Sequence, residues 1–362
     1  MLKVSAPGRI CLFGEHQDYL NLPVIACAIS LRISISGHRT PGNRIELHLP
    51  DLGTEEVFTL ADSFPYVRER DYFRSAFNIL RRQGVRFSDG ITGTVRGEIP
   101  INAGTSSSSA MVVAWINFLA KMSDQCLTYA PEESAKLAHQ AEVLEFSEPG
   151  GMMDHYASAL GGVLFLEFSP HVSAERIHAH IGTFVLGDSR EPKDTVSILA
   201  RVKHGLIEIL KRERVRNPGF SFRELSDAQM QETEAHLSRE EFNLLKGTRR
   251  NYQITLSARE SMQQRELDPE HLGRLLNEHH AVLRDTLRIS TPKIDRMIDA
   301  ALAAGAYGAK INGSGGGGCM FAYAPANPQE VAAAIAEKGG ITFIVEVDDG
   351  VRIEMNESRA KR

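Results

Sequence analysis

Four stretches of the chain hold residues whose types and spacing could do chemistry. In Ala6-Pro7-Gly8-Arg9-Ile10-Cys11-Leu12-Phe13-Gly14-Glu15-His16-Gln17-Asp18-Tyr19, an arginine, a histidine and two carboxylates lie between two apolar runs, which reads as a polar site on a buried frame. Glu15, His16 and Asp18 supply the groups that read a ligand rich in hydroxyls, because a buried polar group left unpaired by the wrong ligand costs enough to discriminate. Arg9 can stabilise negative charge that develops beside it, or serve as a structural ion pair. Pro100-Ile101-Asn102-Ala103-Gly104-Thr105-Ser106-Ser107-Ser108-Ser109-Ala110 runs straight into an apolar segment. Small residues there let backbone N–H groups approach an anion where a helix start favours phosphate, although a lone serine run is more often an ordinary helix cap. Glu142 and Asp154 form a third group: one carboxylate suits Mg²⁺ and the other can accept a hydroxyl proton, while two acids on helices are more often surface charges. The fourth is Gly313-Ser314-Gly315-Gly316-Gly317-Gly318, where glycines allow positive φ and the close backbone approach of a loop packed against a nucleotide.

The elements that must position these residues follow from hydrophobic period and breakers. Leu2–Ser5 and Arg9–Phe13 read as two short strands, and Leu31–Ser36 alternates as a half-buried strand. From Ser106 to Met122 the pattern is apolar nearly all round, which predicts a central, covered helix. Pro131 opens a second helix that carries Glu142 and runs to about Phe146 before Pro149-Gly150-Gly151 breaks it. A third runs from near Met152 to Gly161-Gly162, followed by a strand over Val163–Phe168. Arg212 to Arg265 is highly charged and helical, and reads as a solvated face without a chemical motif. Leu272–Leu287 and Pro292–Ala304 read as amphipathic helices, and Cys319–Tyr323 as a strand.

At 362 residues the chain is natural for two domains. With 46 Asp+Glu against 41 Lys+Arg it has no basic field for nucleic acid or an anionic membrane. Cys11, Cys27, Cys126 and Cys319 show no paired spacing, which argues against a disulfide framework or zinc site and fits a reducing cytoplasm. No apolar stretch is long enough to span a bilayer, and the strand-like opening run, without a basic stretch before a long apolar core, is not expected to be a secretory signal.

The first block resembles the first motif of galactokinases, within the superfamily of galactokinases, homoserine kinases, mevalonate kinases and phosphomevalonate kinases (GHMP kinases). The serine block resembles that family's Pro-x-x-x-Gly-Leu-Ser-Ser-Ser-Ala phosphate loop, with Thr105 for leucine and Ser109 for alanine. The glycine block resembles its Gly-Gly-Gly-Phe-Gly-Gly-Cys motif, and Glu278 to Asp285 its C-terminal half. The resemblance implies an α+β fold of two domains, a ribosomal-S5-like domain over residues 1–187 and a ferredoxin-like domain over 188–362, with ATP and Mg²⁺ bound between them. It implies that Gly104, Thr105, Ser106, Ser107, Ser108 and Ser109 hold the ATP phosphates, that Ser108 and Glu142 hold Mg²⁺, and that Asp154 and Arg9 act at the acceptor hydroxyl. Glu15, His16, Asp18 and Gly151 would contact a sugar. The implied activity is phosphorylation of a monosaccharide at its anomeric hydroxyl, galactose first, by a monomer or homodimer whose partners are the sugar and ATP. An ordinary aspartate titrates near ~4, so Asp154 would need help as a base, and positioning can outweigh proton abstraction in a loose transition state.

Several residues depart from that pattern. Cys11 stands where galactokinases usually have asparagine, Gln17 where threonine is usual, and Gly150 and His155 replace a cysteine and a glutamine beside the site. Gly187-Asp188-Ser189-Arg190-Glu191-Pro192-Lys193-Asp194-Thr195 looks more like the corresponding stretch of mevalonate kinases and keeps a mevalonate-type acid open. Mevalonate kinases share Phe-Gly-Glu-His but usually lack Asp-Tyr and carry lysine in place of Arg9. A sugar sensor without catalysis is a further reading, opposed by the joint presence of Arg9, Ser108, Glu142 and Asp154.

Overall fold

A computed structural model describes residues 1–148, 150–192, 198 and 200–355. Pro149 of the expected break and Lys193, Asp194 and Thr195 of the mevalonate-kinase-like stretch lie outside the described residues.

Strand β1 (Leu2–Phe13) is continuous, where the sequence predicts two short strands flanking Pro7-Gly8. Its register against β2 (Val24–Thr40) shifts between Pro7 and Arg9, so proline's missing N–H falls at an irregularity and costs the ladder little. β3 (Arg44–Leu49), β4 (Thr54–Thr59) and β5 (Gly90–Gly97) extend the sheet, and β12 (Arg352–Met355) returns to the free edge of β1, giving the order β12-β1-β2-β5-β3-β4. β6 (Val163–Glu167) pairs with Val24–Cys27 of β2, and β7 (Ser173–Ile177) pairs with β6. A second, antiparallel sheet has the order β11-β8-β10-β9, from β8 (Phe184–Asp188), β9 (Gly308–Ile311), β10 (Cys319–Tyr323) and β11 (Ile341–Val345). The boundary expected at 187/188 falls inside β8, and β12 carries the far end of the chain back to the first sheet.

The first sheet is covered by α1 (Tyr72–Arg82), α2 (Ser107–Met122), α3 (Pro131–His139) and α4 (Met153–Leu160). α2 is enclosed on all sides, as its apolar pattern predicts, and α3 is extended by a π turn over Gln140–Leu144. A second π turn, Ala200–His204, leads into α5 (Gly205–Arg216); α6 (Asp227–Glu234), α7 (Arg239–Met262) and α8 (Pro269–Ala281) follow. A third π turn, Val282–Thr286, ends α8 before α9 (Pro292–Ala303) and α10 (Pro328–Glu337). The solvated face expected from Arg212 to Arg265 is only half of α7. Leu244, Leu245, Thr248, Asn251, Ile254, Thr255, Ala258 and Met262 form a buried stripe at helical spacing, which the intervening Arg, Lys and Glu conceal in composition.

Three cores result. One, around Phe77, Trp115 and Phe118, lies under the first sheet, and another, around Leu206, Leu245 and Met297, lies among the C-terminal helices. The third is shared: Ile10, Leu12 and Phe13 of β1 pack with Phe184, Phe321 and Tyr323 of the second sheet and Ile254 and Leu276 of the helices. This places the end of β1, where the polar residues begin, at the seam. Among the described residues no helix is long and apolar enough to cross a membrane.

Candidate active site

Arg9 is fixed by β1 and directed at two other elements. Its Nε and Nη2 donate to Oδ1 and Oδ2 of Asp154 at 2.8 and 2.9 Å, a bidentate pair, and its Nη1 donates to the Gly104 carbonyl at 2.5 Å. Its backbone N–H donates to the Thr105 carbonyl at 3.1 Å, so strand and serine loop are tied twice. The approach needs Gly8, where an added Cβ would lie 2.9 Å from the Thr105 oxygen. Asp154 stands in the first turn of α4, where the helix N-terminus also favours a carboxylate. Burial alone would push its pKa up, but the Arg9 charge, the Ser106 hydroxyl and His155 hold it below the ordinary aspartate value.

The serine loop enters α2 through Ser106, whose φ is 61° and whose side chain does not cap the first N–H groups of that helix. Those donors remain available to an anion. Ser108 is exposed and Ser109 buried, and both hydroxyls lie against Glu142. Glu142 is carried inward by the π turn after α3. Its burial favours the neutral acid, yet His155 and the two serines hold its pKa below the ordinary value, so it stays ionised. His155, expected to stand beside the site without joining it, donates from Nε2 to Glu142 Oε2 at 2.7 Å. Among the described residues no group of three or more His, Cys, Asp or Glu is arranged to hold a metal; the Ser108 hydroxyl and the Glu142 carboxylate are hard oxygen donors placed side by side.

The first-motif turn divides its three polar residues. Asp18 reaches the cleft and packs against Gly151, where an added Cβ would fall 1.8 Å from Asp18 Oδ2. Burial, reinforced by the neighbouring charge of Asp154, pushes Asp18 up to about 6, against the pull of the Tyr19 N–H, Lys203 and Arg9. His16, with φ 63°, is held by its ring: Nε2 donates to the Ser314 carbonyl at 2.9 Å, leaving Nδ1 to accept from the Tyr19 hydroxyl at 2.9 Å. Glu15 departs from the expected sugar contact. Its side chain is 1% exposed and its Oε1 is ion-paired with Lys310 of β9.

Arg9, Asp18, Gly151 and Asp154 thus meet at one end of the cleft, with the loop from Gly104 to Ser109 and Glu142 beside them. Four further residues belong to this machinery. Asn312 accepts from Cys11 N–H and donates to the Gly104 carbonyl, both at 2.9 Å, joining β1, the serine loop and the glycine block. Lys310 and His155 flank predicted motifs, a signal too weak to single them out. Lys203, whose Nζ lies 5.1 Å from the Tyr19 ring centre and whose charge acts on Asp18, comes from a stretch with no sequence signal.

A galactokinase galactose-binding signature matches residues 3–39, the GHMP kinases N terminal domain matches 71–162, and the GHMP kinases C terminal family matches 258–341. The mevalonate kinase of Thermococcus gammatolerans is 31% identical, with 97% of each chain covered. The chain belongs to the GHMP kinase family. It is therefore an ATP-dependent kinase, with the family's α+β fold as the sequence predicts. The galactokinase of Actinobacillus succinogenes is 28% identical over 90% of this chain and 85% of its own. In fold, this GHMP kinase is similar to Lactococcus lactis galactokinase complexed with galactose, with a TM-score of 0.83, 22% identity, and 97% of this chain and 95% of that one covered. The Methanococcus jannaschii mevalonate kinase superposes with a TM-score of 0.75 at 20% identity, covering 96% of this chain and 98% of its own.

Proposed function

We propose that this GHMP kinase transfers the γ-phosphoryl group of ATP to the anomeric hydroxyl of a monosaccharide, with galactose the leading candidate. The observation that carries this reading is the pair of carboxylates, Asp18 and Asp154, at the acceptor end of the cleft. Two acceptors suit a polyol, whose hydroxyls donate, while Arg9 and Lys203 balance their charge. The galactose-binding signature over residues 3–39 supports the same choice. Asp154 orients the attacking hydroxyl as a hydrogen-bond acceptor and is the group at hand to receive its proton, which in a loose transition state leaves late, as the bond between the γ-phosphorus and ADP breaks. Arg9, anchored by Asp154 and Gly104, places its charge where negative charge gathers on the transferring group. The N–H groups at the start of α2 receive phosphate oxygens, and Ser108 and Glu142 would hold Mg²⁺, which neutralises phosphate charge when bound. Asp18 fixes which face of the sugar is presented.

A mevalonate-type acid is the second reading. It is favoured by the 31% identity to a mevalonate kinase across 97% of the chain, and by Lys203, a cation at the same pocket. ADP release from ATP in the presence of free hexoses, pentoses, uronic acids and mevalonate separates the two. Turnover of galactose or another neutral sugar is expected; turnover of mevalonate alone would overturn the sugar reading.

A further inference from the structure

Lys310 is a fully buried ammonium group at the seam between the two sheets. It donates to the carbonyl oxygens of Cys11 in β1 and of its neighbour Ile311, both at 3.0 Å, and forms an ion pair with Glu15. Its three hydrogens are thereby all used, and its Nζ lies 5.0 Å from the centre of the Phe321 ring. Glu15 is equally enclosed; its second oxygen has no hydrogen-bond partner and lies 3.7 Å from Nε2 of the buried His279. An ion pair so desolvated contributes little net stability compared with apolar residues of similar shape, so its value lies in fixing geometry. What it fixes is a corner. Glu15 stands between Gly14 at φ 98° and His16 at φ 63°, where the chain leaves β1 and enters the turn that presents His16 and Asp18. Two residues along from Lys310, Asn312 holds the serine loop from the same seam.

We propose that Lys310 is a positioning residue for the acceptor pocket: through Glu15 it sets the corner that presents His16 and Asp18, and Glu15 acts behind the pocket without touching substrate. The proposal rests on the acceptor-pocket reading above only for its kinetic readout. Glu15→Gln, Lys310→Met and the double variant test it, by amide exchange over residues 14–22, by denaturant unfolding, and by kinetics with whichever acceptor the panel identifies. In the wild type the turn is protected by N–H bonds from Gln17 to Gly14, from Leu20 to Gln17 and from Leu22 to Gln17. Lys310→Met leaves the Glu15 charge buried and unpaired, and should speed exchange there and raise the acceptor KM by about tenfold or more. The KM for ATP should change by no more than about twofold. The double variant has no unpaired charge, so its stability, exchange and acceptor KM should return toward wild type. Unchanged exchange over residues 14–22 in Lys310→Met would overturn the proposal whatever the acceptor is. So would a Glu15→Gln variant that keeps wild-type exchange and stability but loses acceptor turnover, since Glu15 would then touch the substrate. If Lys310→Met does not fold, Glu15→Gln and the double variant decide by the same two measurements.

Discussion

Asp18 and Asp154 carry the same carboxyl group into one pocket, and their surroundings push it in opposite directions. Asp18, near 6 instead of the ordinary 3.8, is the group whose charge changes close to neutrality. The ionised form accepts the hydroxyl, so kcat/KM for the acceptor should fall as pH drops through about 6 and hold above it. Asp18→Asn should flatten that acid limb; a limb unchanged in the variant would assign it to another group. In stability the sign is reversed: between pH 4 and 6 the folded protein keeps a proton that the unfolded chain has lost, so ionising Asp18 costs stability across that window. Asp154→Asn should lower kcat by about 10²-fold or more while ATP binding remains measurable by calorimetry, and turnover within a few-fold of wild type would remove Asp154 from the mechanism. Gly151→Ala should act through Asp18 alone, displacing its carboxylate and raising the acceptor KM by about tenfold, with thermal stability as the control. At this scale the motifs were enough to single out Arg9, Asp18 and Asp154, which the fold brings together, while their roles rest on the proposed function. It misled at Glu15, because a carboxylate's burial and its partner Lys310, 295 positions away, are tertiary facts.

At the scale of elements, the serine loop, α2 and the π turn together make the end of the site proposed to receive phosphate. Their placement followed from local chemistry: small residues before an apolar helix, Pro131 opening α3, and glycines closing α4. The π turn did not, since its one-residue excess leaves no mark on an apolar pattern so short, yet it decides that Glu142 faces Ser108. Ser108→Ala and Glu142→Gln should both raise the Mg²⁺ concentration needed for half-maximal rate, and weaken Mn²⁺ binding measured by electron paramagnetic resonance, with acceptor affinity little changed. Unaltered metal titrations in both variants would withdraw the ligand assignment. The stripe on α7 was hidden for a related reason: with Lys, Arg, Gln, Ser and Glu among the intervening positions and Thr and Asn within the stripe itself, composition reads as solvent even where every third or fourth residue is buried.

Across the whole molecule, two sheets and three cores are joined by residues that belong to both halves. Because the third core draws on β1 and on β8 and β10, neither half retains its buried surface when the other unfolds. Thermal unfolding followed by the fluorescence of Trp115, in the first core, and by helical circular dichroism, which weights the C-terminal helices, should therefore give one midpoint. Two resolved midpoints would mean that the seam is not shared in energy as it is in structure. Length and motif order foretold two domains. They did not foretell the crossing of β8 and β12, since sheet membership depends on pairing partners more than a hundred residues away.

The π turns of the described residues also set where two charges stand. A turn with i→i+5 bonds is how a helix absorbs a single added residue without breaking, and the residues beyond it are rotated by about 100° from where they would otherwise point. One such turn bears Glu142 and another bears Lys203. Deleting one residue between Pro131 and Glu142 would turn Glu142 by about 100° around the helix axis, away from His155. The number of residues between Pro131 and Glu142 is therefore as much a part of the site as their identities, and a one-residue deletion there should break the Glu142–His155 pair with every motif intact.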